Sequence, residues 1–124
     1  MIPELKTGLV VKGKFARLIV NGDKTWEIRK IPPYVEGIVG VIDGDRGELL
    51  GLVEIKGFLG PFSLKELLKH EDKHHGSKFL KNYARGGVNL YAWILKNPVK
   101  FRKPLKVKYK EGKAGIAEIM EILV

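Results

Sequence analysis

The sequence contains no cysteine, which excludes disulfide bonds and cysteine-ligated metal sites. It also contains no glutamine, while lysine is abundant. Few thermolabile residues together with many Lys and Glu are typical of hyperthermophile proteins. No apolar run is long enough to span a membrane, and the first residues include Pro3, Glu4 and Lys6 rather than the apolar stretch of a signal peptide. These features predict a cytoplasmic protein that has no membrane segment.

Acidic residues are missing from one long stretch. Residues 78–110 contain ten Lys or Arg and no Asp or Glu, and residues 63–124 carry +8 of the net charge of +9. This asymmetry favours a polyanionic partner. A lysine-rich solvated surface on a thermophilic protein would have the same composition, so charge alone does not separate the two interpretations.

The rest of the composition is typical of a globular protein. The 124 residues are 44% hydrophobic and 30% charged, and they show no internal repeat. A chain of this length buries about two thirds of its unfolded surface when it folds. We therefore expect a single domain over residues 1–124.

Strand-like and helix-like segments alternate along the chain. Strands are predicted at residues 8–12, 24–30, 37–42, 49–58, 89–95 and 105–110, with Pro98 and Pro104 bounding the segment between the last two. Helices are predicted at residues 15–21, after a capping-box signature at Ser63 and Glu66, and at residues 77–84. The tail from residue 115 fits either a helix or a strand. The pattern indicates an α+β fold, a small β-barrel with two or three short helices.

The stretch GDKTWEIRK, residues 22–30, is more highly charged than a purely structural strand needs to be. Side chains alternate between the two faces of a strand, so Thr25, Glu27 and Arg29 share one face, and Trp26 and Ile28 share the core face. Glu27 and Arg29 lie about 6.6 Å apart along such a strand, close enough to grip one ligand together. A solvated ion pair worth less than about 1 kcal/mol would produce the same pattern.

The pattern Gly22-x-Lys24-x-x-Glu27-x-Arg29, directly after a short amphipathic helix, resembles the signature of the ASCH (activating-signal-cointegrator homology) family, which has a PUA-like β-barrel fold. The resemblance covers nearly the whole chain. Its second half is carried by YAWIL at residues 91–95 and by the Asn-Pro, Phe and Pro at positions 97, 98, 101 and 104.

The resemblance implies RNA binding. PUA-like barrels commonly bind RNA, and ASCH domains were proposed to do so through a cleft near this motif. Lys24 and Arg29 would then meet phosphates or base edges, and Glu27 would accept hydrogen bonds from a base. The implied partner is single-stranded or structured RNA, with modified nucleosides as a further class.

Some ASCH-like proteins are enzymes, and the resemblance therefore implies an alternative function. One branch removes the acetyl group of N4-acetylcytidine with a lysine, a threonine and a glutamate. Lys24 matches that lysine, whereas Glu27 stands where the branch has its threonine, and Thr25 is two residues away. Ribonuclease activity is also associated with ASCH-like proteins, and Lys24, Glu27 and a histidine would be the candidates for general acid–base cleavage.

The segment HEDKH at residues 70–74 matches the H-E-x-x-H pattern of zinc metalloproteases. Its middle positions are charged, and the remaining histidine, His75, directly follows the pair, so no distant third histidine ligand exists. A polar helix end, with His70, His74 and His75 near a C-terminus, is the structural interpretation. We therefore expect neither a metal site nor a cofactor.

Basic and aromatic residues of the second half are further candidates for RNA binding. After Pro104 the alternation places Lys106, Lys108 and Lys110 outward. With Lys100, Arg102 and Lys103 they form the best electrostatic track in the chain. An edge strand protected by lysines is the competing interpretation.

Tyr83 is available for base stacking, and Arg85-Gly86-Gly87 is either a rim of the cleft or an ordinary loop. Core packing is the expected role of Trp93. A third functional class, a protein-interaction module with incidental positive charge, also fits the composition.

Overall fold

The computed structural model describes residues 5–85 and 87–123, so the first four residues, Val124 and Gly86 of the expected rim lie outside the described residues. Six strands form one mixed sheet: β1 (Thr7–Val11), β2 (Trp26–Arg29), β3 (Gly37–Asp43), β4 (Glu48–Phe62), β5 (Leu90–Glu111) and β6 (Ile116–Leu123). The α-helices are α1 (Gly13–Val20), α2 (Leu64–Leu67), α3 (Glu71–His74) and α4 (Ser77–Tyr83), with a 3-10 turn, Leu68–His70, joining α2 to α3. None of these helices is long and apolar enough to cross a membrane.

The sheet closes on itself through hydrogen bonds. Its order is β2-β5-β4-β3-β1-β6, and β5 also pairs with β6, so five strands form a ring and β2 is attached to β5. β1 and β3 are parallel, and the other pairs are antiparallel. The α-helical residues fall into three stretches within the described chain, α1, α2 to α3, and α4, and a second 3-10 turn, Lys113–Gly115, lies directly before β6. This architecture confirms the α+β prediction.

β5 joins two segments that the sequence predicts as separate strands. Its 22 residues include both Pro98 and Pro104, so the expectation that these prolines bound the strand was wrong. The β4–β5 register shifts between the pairs Leu52–Val99 and Glu54–Lys96, and again between Leu49–Leu105 and Gly51–Lys100. A proline has no N–H for the ladder, and both prolines lie where the register is interrupted.

The ambiguous tail is the strand β6. It pairs with β1 through Thr7–Leu9 and with β5 through Lys106–Glu111. A helix at this position would leave the backbone groups of two strands without a sheet partner, and unpaired backbone groups are costly. Ring closure therefore selects the strand.

The main core lies between the ring and α1. Trp93 is fully buried, and its indole N–H donates to the Ile31 carbonyl at 2.9 Å, which confirms its packing role. α1 begins at Gly13, two residues earlier than predicted. The Asp45 carboxylate accepts a hydrogen bond from the Gly13 N–H at 2.8 Å, so a residue from a distant turn caps this helix.

Candidate binding cavity

A cavity of about 430 Å³ lies beside β2. α1, β1, β2, α4 and the turn before β6 all contribute to its walls. Three charged side chains of the GDKTWEIRK stretch line it: Lys24, Glu27 and Arg29. The structure therefore brings the three expected charged residues together in one concave site.

Glu27 is the most enclosed acid of this cavity. Only 5% of the surface of Glu27 is exposed to solvent. Oε1 accepts a hydrogen bond from the Ile28 N–H at 3.1 Å, and it lies 3.5 Å from Lys24 Nζ and 3.3 Å from Arg29 Nη1. Oε2 is also buried, yet it accepts no hydrogen bond from any residue that the structure describes. One carboxylate oxygen is therefore satisfied, and the other is buried without a hydrogen-bond partner among the described residues.

The surrounding charges keep Glu27 ionised. Burial acts to raise the pKa of this carboxyl group, but Arg29 and then Lys24 outweigh it and hold the pKa below the usual 4.5. The alternative interpretation of a solvated surface ion pair is thus wrong, because the carboxylate is buried between two cations. An ionised carboxylate can only accept hydrogen bonds, so the unpartnered Oε2 fits a donor.

Lys24 faces Glu27 from the end of α1. The backbone N–H of Lys24 donates to the Leu18 carbonyl at 3.0 Å, which fixes the residue against the last turn of the helix. Its Nζ donates to the His74 carbonyl at 2.5 Å and lies 4.9 Å from the centre of the Phe15 ring. Burial lowers the pKa of the Lys24 ammonium, and Glu27 offsets this effect only in part.

Arg29 ties three segments of the chain together. Nε donates to the Ala114 carbonyl at 2.9 Å, Nη1 donates to the Ile28 carbonyl at 3.1 Å, and Nη2 donates to the Val10 carbonyl at 3.3 Å. Every nitrogen of the guanidinium thus has a partner within the chain. This geometry favours a positioning role for Arg29, with Glu27 as the group that it positions.

Aromatic rings form another wall of the cavity. Phe79 and Tyr83 are four residues apart on α4, and their rings stack with centroids 5.7 Å apart. The Phe15 ring meets Phe79 edge-on at 6.1 Å. The sequence pointed to Tyr83 and missed Phe79 and Phe15. The i, i+4 spacing of Phe79 and Tyr83 in a predicted helix was the signal that could have found Phe79.

The remaining predicted residues lie elsewhere. Thr25 precedes β2 and lines a different cavity, so Thr25 and Glu27 do not line the same site. Arg85 is exposed in the turn after α4. Arg102, Lys106 and Lys108 are exposed on β5, and none of them lines the cavity.

The outward lysines of β5 have acidic neighbours. Lys106 Nζ lies 3.7 Å from Glu48, and Lys108 Nζ lies 3.8 Å from Glu121. Leu105, Val107 and Tyr109 pack into a hydrophobic cluster, as their alternation predicted. At Lys106, β5 is paired with β4 on one side and β6 on the other, so it is not an edge strand there.

The HEDKH segment has a structural explanation. His70 ends the 3-10 turn and its ring lies 5.0 Å from that of Trp26, whereas His74 ends α3. His74 is fully buried, so the expected polar helix end was wrong at this residue. The Gly76 N–H donates to Nδ1 at 2.9 Å, and Nε2 therefore donates to the Leu67 carbonyl at 2.7 Å.

Both ring nitrogens of His74 are therefore used by the chain, and burial lowers the pKa of this imidazole. Among the residues that the structure describes, no group of three or more His, Cys, Asp or Glu is arranged to hold a metal ion.

The family model described as the ASCH domain matches residues 9–105. No curated protein matches the chain. Among solved structures, ASCH from Zymomonas mobilis is 16% identical, with a TM-score of 0.65, and the match covers 80% of this chain and 69% of that one.

Two mutants of the same protein, ZmASCH from Zymomonas mobilis, give similar matches. A serine-to-alanine mutant is 19% identical, with a TM-score of 0.68 and coverage of 81% and 72%. A tyrosine-to-phenylalanine mutant is 17% identical, with a TM-score of 0.68 and coverage of 81% and 74%. At these identities the likeness establishes the shared fold.

Proposed function

The chain belongs to the ASCH domain family, and we propose that its cavity binds a nucleobase of RNA, with Glu27 as the hydrogen-bond acceptor. The observation that carries this proposal is the buried Oε2 of Glu27, which has no partner in the described chain and belongs to a side chain that lines the cavity. A base that donates an exocyclic amino group to this oxygen would satisfy it.

The energetics favour a base over a simple ion. A hydrogen bond to a charged group contributes about 1.5–3 kcal/mol, and a site that is built for a donor rejects ligands without one. Phe15 offers a ring surface beside the same cavity, and rings of this kind stack on nucleobases. Lys24 and Arg29 hold the carboxylate ionised and in place.

The basic second half of the chain, residues 63–124, would contact the phosphate backbone of the RNA. Arg85, Arg102, Lys106 and Lys108 are exposed, and the net charge of +9 would attract a polyanion. A cytoplasmic location and a single domain over residues 1–124 remain part of the same proposal.

The test compares two variants that each remove one negative charge. Glu27→Gln changes the proposed acceptor, and Glu36→Gln changes an exposed carboxylate outside the cavity. Binding of a short labelled single-stranded RNA is measured by fluorescence anisotropy near 0.15 M salt. Attraction by charge alone predicts equal or tighter binding for both variants.

We expect Glu27→Gln to bind about tenfold more weakly or worse, and Glu36→Gln to bind at least as tightly as wild type. Circular dichroism confirms that both variants are folded under the assay conditions. If Glu27→Gln binds like Glu36→Gln, Glu27 is not the acceptor. A protein-interaction module would give that result, with only weak RNA binding in every variant.

A hydrolytic activity in the same cavity is the second candidate. It is favoured by Lys24, whose pKa is lowered by burial and whose Nζ lies 3.5 Å from Glu27 Oε1, an arrangement suited to proton transfer. Thr25 lines a different cavity, which does not support it as the nucleophile. Incubation with N4-acetylcytidine and with RNA tests both reactions; product must form with wild type and be lost with Lys24→Ala.

A further inference from the structure

We infer that α4 carries a stacking track for the nucleotide next to the bound base, so that the ligand is an RNA strand rather than a free nucleoside. The track consists of the Phe79 and Tyr83 rings and the two lysines over them, Lys12 and Lys30. This inference rests on the proposed function of the Glu27 cavity and extends it to the flanking nucleotide.

The Phe79 ring is largely exposed, and the packing of α4 onto the core does not depend on it. Phe79 is 42% exposed, whereas its neighbour Leu80 is buried at 3% and supplies the apolar anchor of α4. Neighbouring rings nevertheless hold Phe79 in place, because it stacks on Tyr83 and makes an edge-to-face contact with Phe15. An aromatic surface that is fixed at the wall of a cavity and still open to solvent suits a flat ligand group.

The two lysines cover the rings in the free protein. Lys12 Nζ lies 4.8 Å from the centre of Phe79, and Lys30 Nζ lies 4.6 Å from the centre of Tyr83. Both lysines are exposed, and a cation over an exposed ring is held more weakly than a stacked base. An incoming base can therefore displace an ammonium group, which is then free to meet the phosphate of the same nucleotide.

The charge around the track is complementary to a nucleic-acid backbone. α4 also carries Lys78 and Lys81, both exposed, and no acidic residue occurs between residues 78 and 110. A free nucleoside whose base lies in the Glu27 cavity has no second base for the exposed ring and no phosphate for these cations. An RNA strand would use both, because its phosphates follow from one base to the next.

The experiment measures the gain in affinity from one added nucleotide. A nucleoside monophosphate and the dinucleotide that contains it are titrated against wild type, Phe79→Leu and the control Phe58→Leu. Phe58 is a matched control because it is 44% exposed, makes an edge contact with Tyr91 and lies outside the cavity lining.

We expect the dinucleotide to bind wild type about tenfold more tightly than the monophosphate, since base–aromatic stacking has that magnitude. Phe79→Leu should bring this ratio close to one, and Phe58→Leu should retain it. If Phe79→Leu retains the full ratio, or if wild type shows none, the track is overturned.

Lys12→Ala gives a second readout, the salt dependence of binding to a short single-stranded RNA of several nucleotides. Removing the cation that meets one phosphate should reduce the slope of log K against log salt by about 0.7. Tighter binding with an unchanged slope would mean that Lys12 only covers the ring, and the track as described would be wrong.

The two proposals fail in different ways. Monophosphate binding that depends on Glu27, without any gain from the second nucleotide, supports the cavity and overturns the track. If the dinucleotide binds more tightly than the monophosphate, and this gain in affinity depends on Phe79 but not on Glu27, the stacking track is supported and the acceptor role of Glu27 is overturned. If neither ligand binds, both proposals are overturned.

Discussion

Arg29 fixes Glu27 from two residues further along the same strand. Nη1 of Arg29 lies 3.3 Å from Oε1 of Glu27, while Nη2 of the same guanidinium donates to the Val10 carbonyl. Because Nε also donates to the Ala114 carbonyl, β1, β2 and the turn before β6 all determine where the carboxylate lies. The position of the acceptor is thus a property of three segments, and changes in any of them should reach it.

Gly115→Ala should damage the site without altering a charged residue. Gly115 has φ +77, and a Cβ there would lie 2.9 Å from Arg29 Nη2 and 3.0 Å from the Val10 carbonyl oxygen. The new methyl group would separate Arg29 from Val10. We expect loss of stability beyond the cost of a positive φ, and weaker RNA binding, measured by urea unfolding and anisotropy.

Gly57→Ala is the matched control for that change. Gly57 has φ +86, and no described atom lies within 4 Å of a Cβ at this position. It should cost about 1–2 kcal/mol for the left-handed conformation and leave RNA binding unchanged. Equal effects of the two alanines on binding would show that contact with Arg29 does not matter.

Arg29→Lys should destabilise the protein although it keeps the charge. A lysine cannot donate to the Ala114 and Val10 carbonyls together in the geometry of a guanidinium. The buried carbonyl that loses its donor costs about 1–3 kcal/mol. In urea unfolding, the exposed Arg102→Lys should stay within about 0.5 kcal/mol of wild type; a similar change at both positions contradicts the bridging role.

The contribution of Glu27 to stability should depend on pH. Its pKa is below 4.5 in the folded protein, because Arg29 and Lys24 outweigh burial. A carboxyl group with a lowered folded pKa stabilises the fold above its unfolded pKa, and this contribution is lost as the pH falls through the folded value. We expect Glu27→Gln to cost roughly 3 kcal/mol near pH 7, since it leaves two cations without their anion, and progressively less below pH 4.5.

Urea unfolding of wild type and Glu27→Gln across this pH range measures the difference. Glu36→Gln, which changes an exposed carboxylate, should show a small difference at every pH. A cost of Glu27→Gln that stays constant down to acidic pH would contradict an ionised, buried Glu27.

The basic face of β5 should act on RNA through charge alone. Replacing Lys106 and Lys108 together by serine should weaken binding to all sequences and reduce the salt slope by about 0.7 for each phosphate that is no longer neutralised. Their ion pairs with Glu48 and Glu121 are exposed on the lysine side, so stability should change by less than about 1 kcal/mol. Serine at Lys65 and Lys69, which are exposed in α2 and in the 3-10 turn that follows it, removes the same charge; an equal loss of affinity there would show that the effect is not local.

Local patterns predicted those features that depend on neighbouring residues. Ser63 and Glu66 form the expected capping box, with hydrogen bonds of 3.1 Å and 2.9 Å. Leu105, Val107 and Tyr109 face inward, as a period of two requires. These features depend on residues a few positions apart in the chain, so the sequence specifies them directly.

Features that depend on distant segments were missed or left open. The strand β6 is selected by ring closure, and α1 starts early because Asp45 caps Gly13 from a distant turn. His74 is buried by contacts with Leu67 and Gly76 that no local polarity pattern shows. Each of these outcomes depends on which segments the fold brings together.

For the site, the sequence determined the residue types, the shared face of Glu27 and Arg29, and the family to which the chain belongs. Only the tertiary structure decided that Glu27 is buried, that one of its oxygens lacks a partner among the described residues, and that Phe79 and Tyr83 line the same cavity. The physical reason is that burial and unsatisfied hydrogen-bonding capacity are properties of the surroundings. Here the surroundings come from α1, α4, β1 and the turn before β6, most of which are far from Glu27 along the chain.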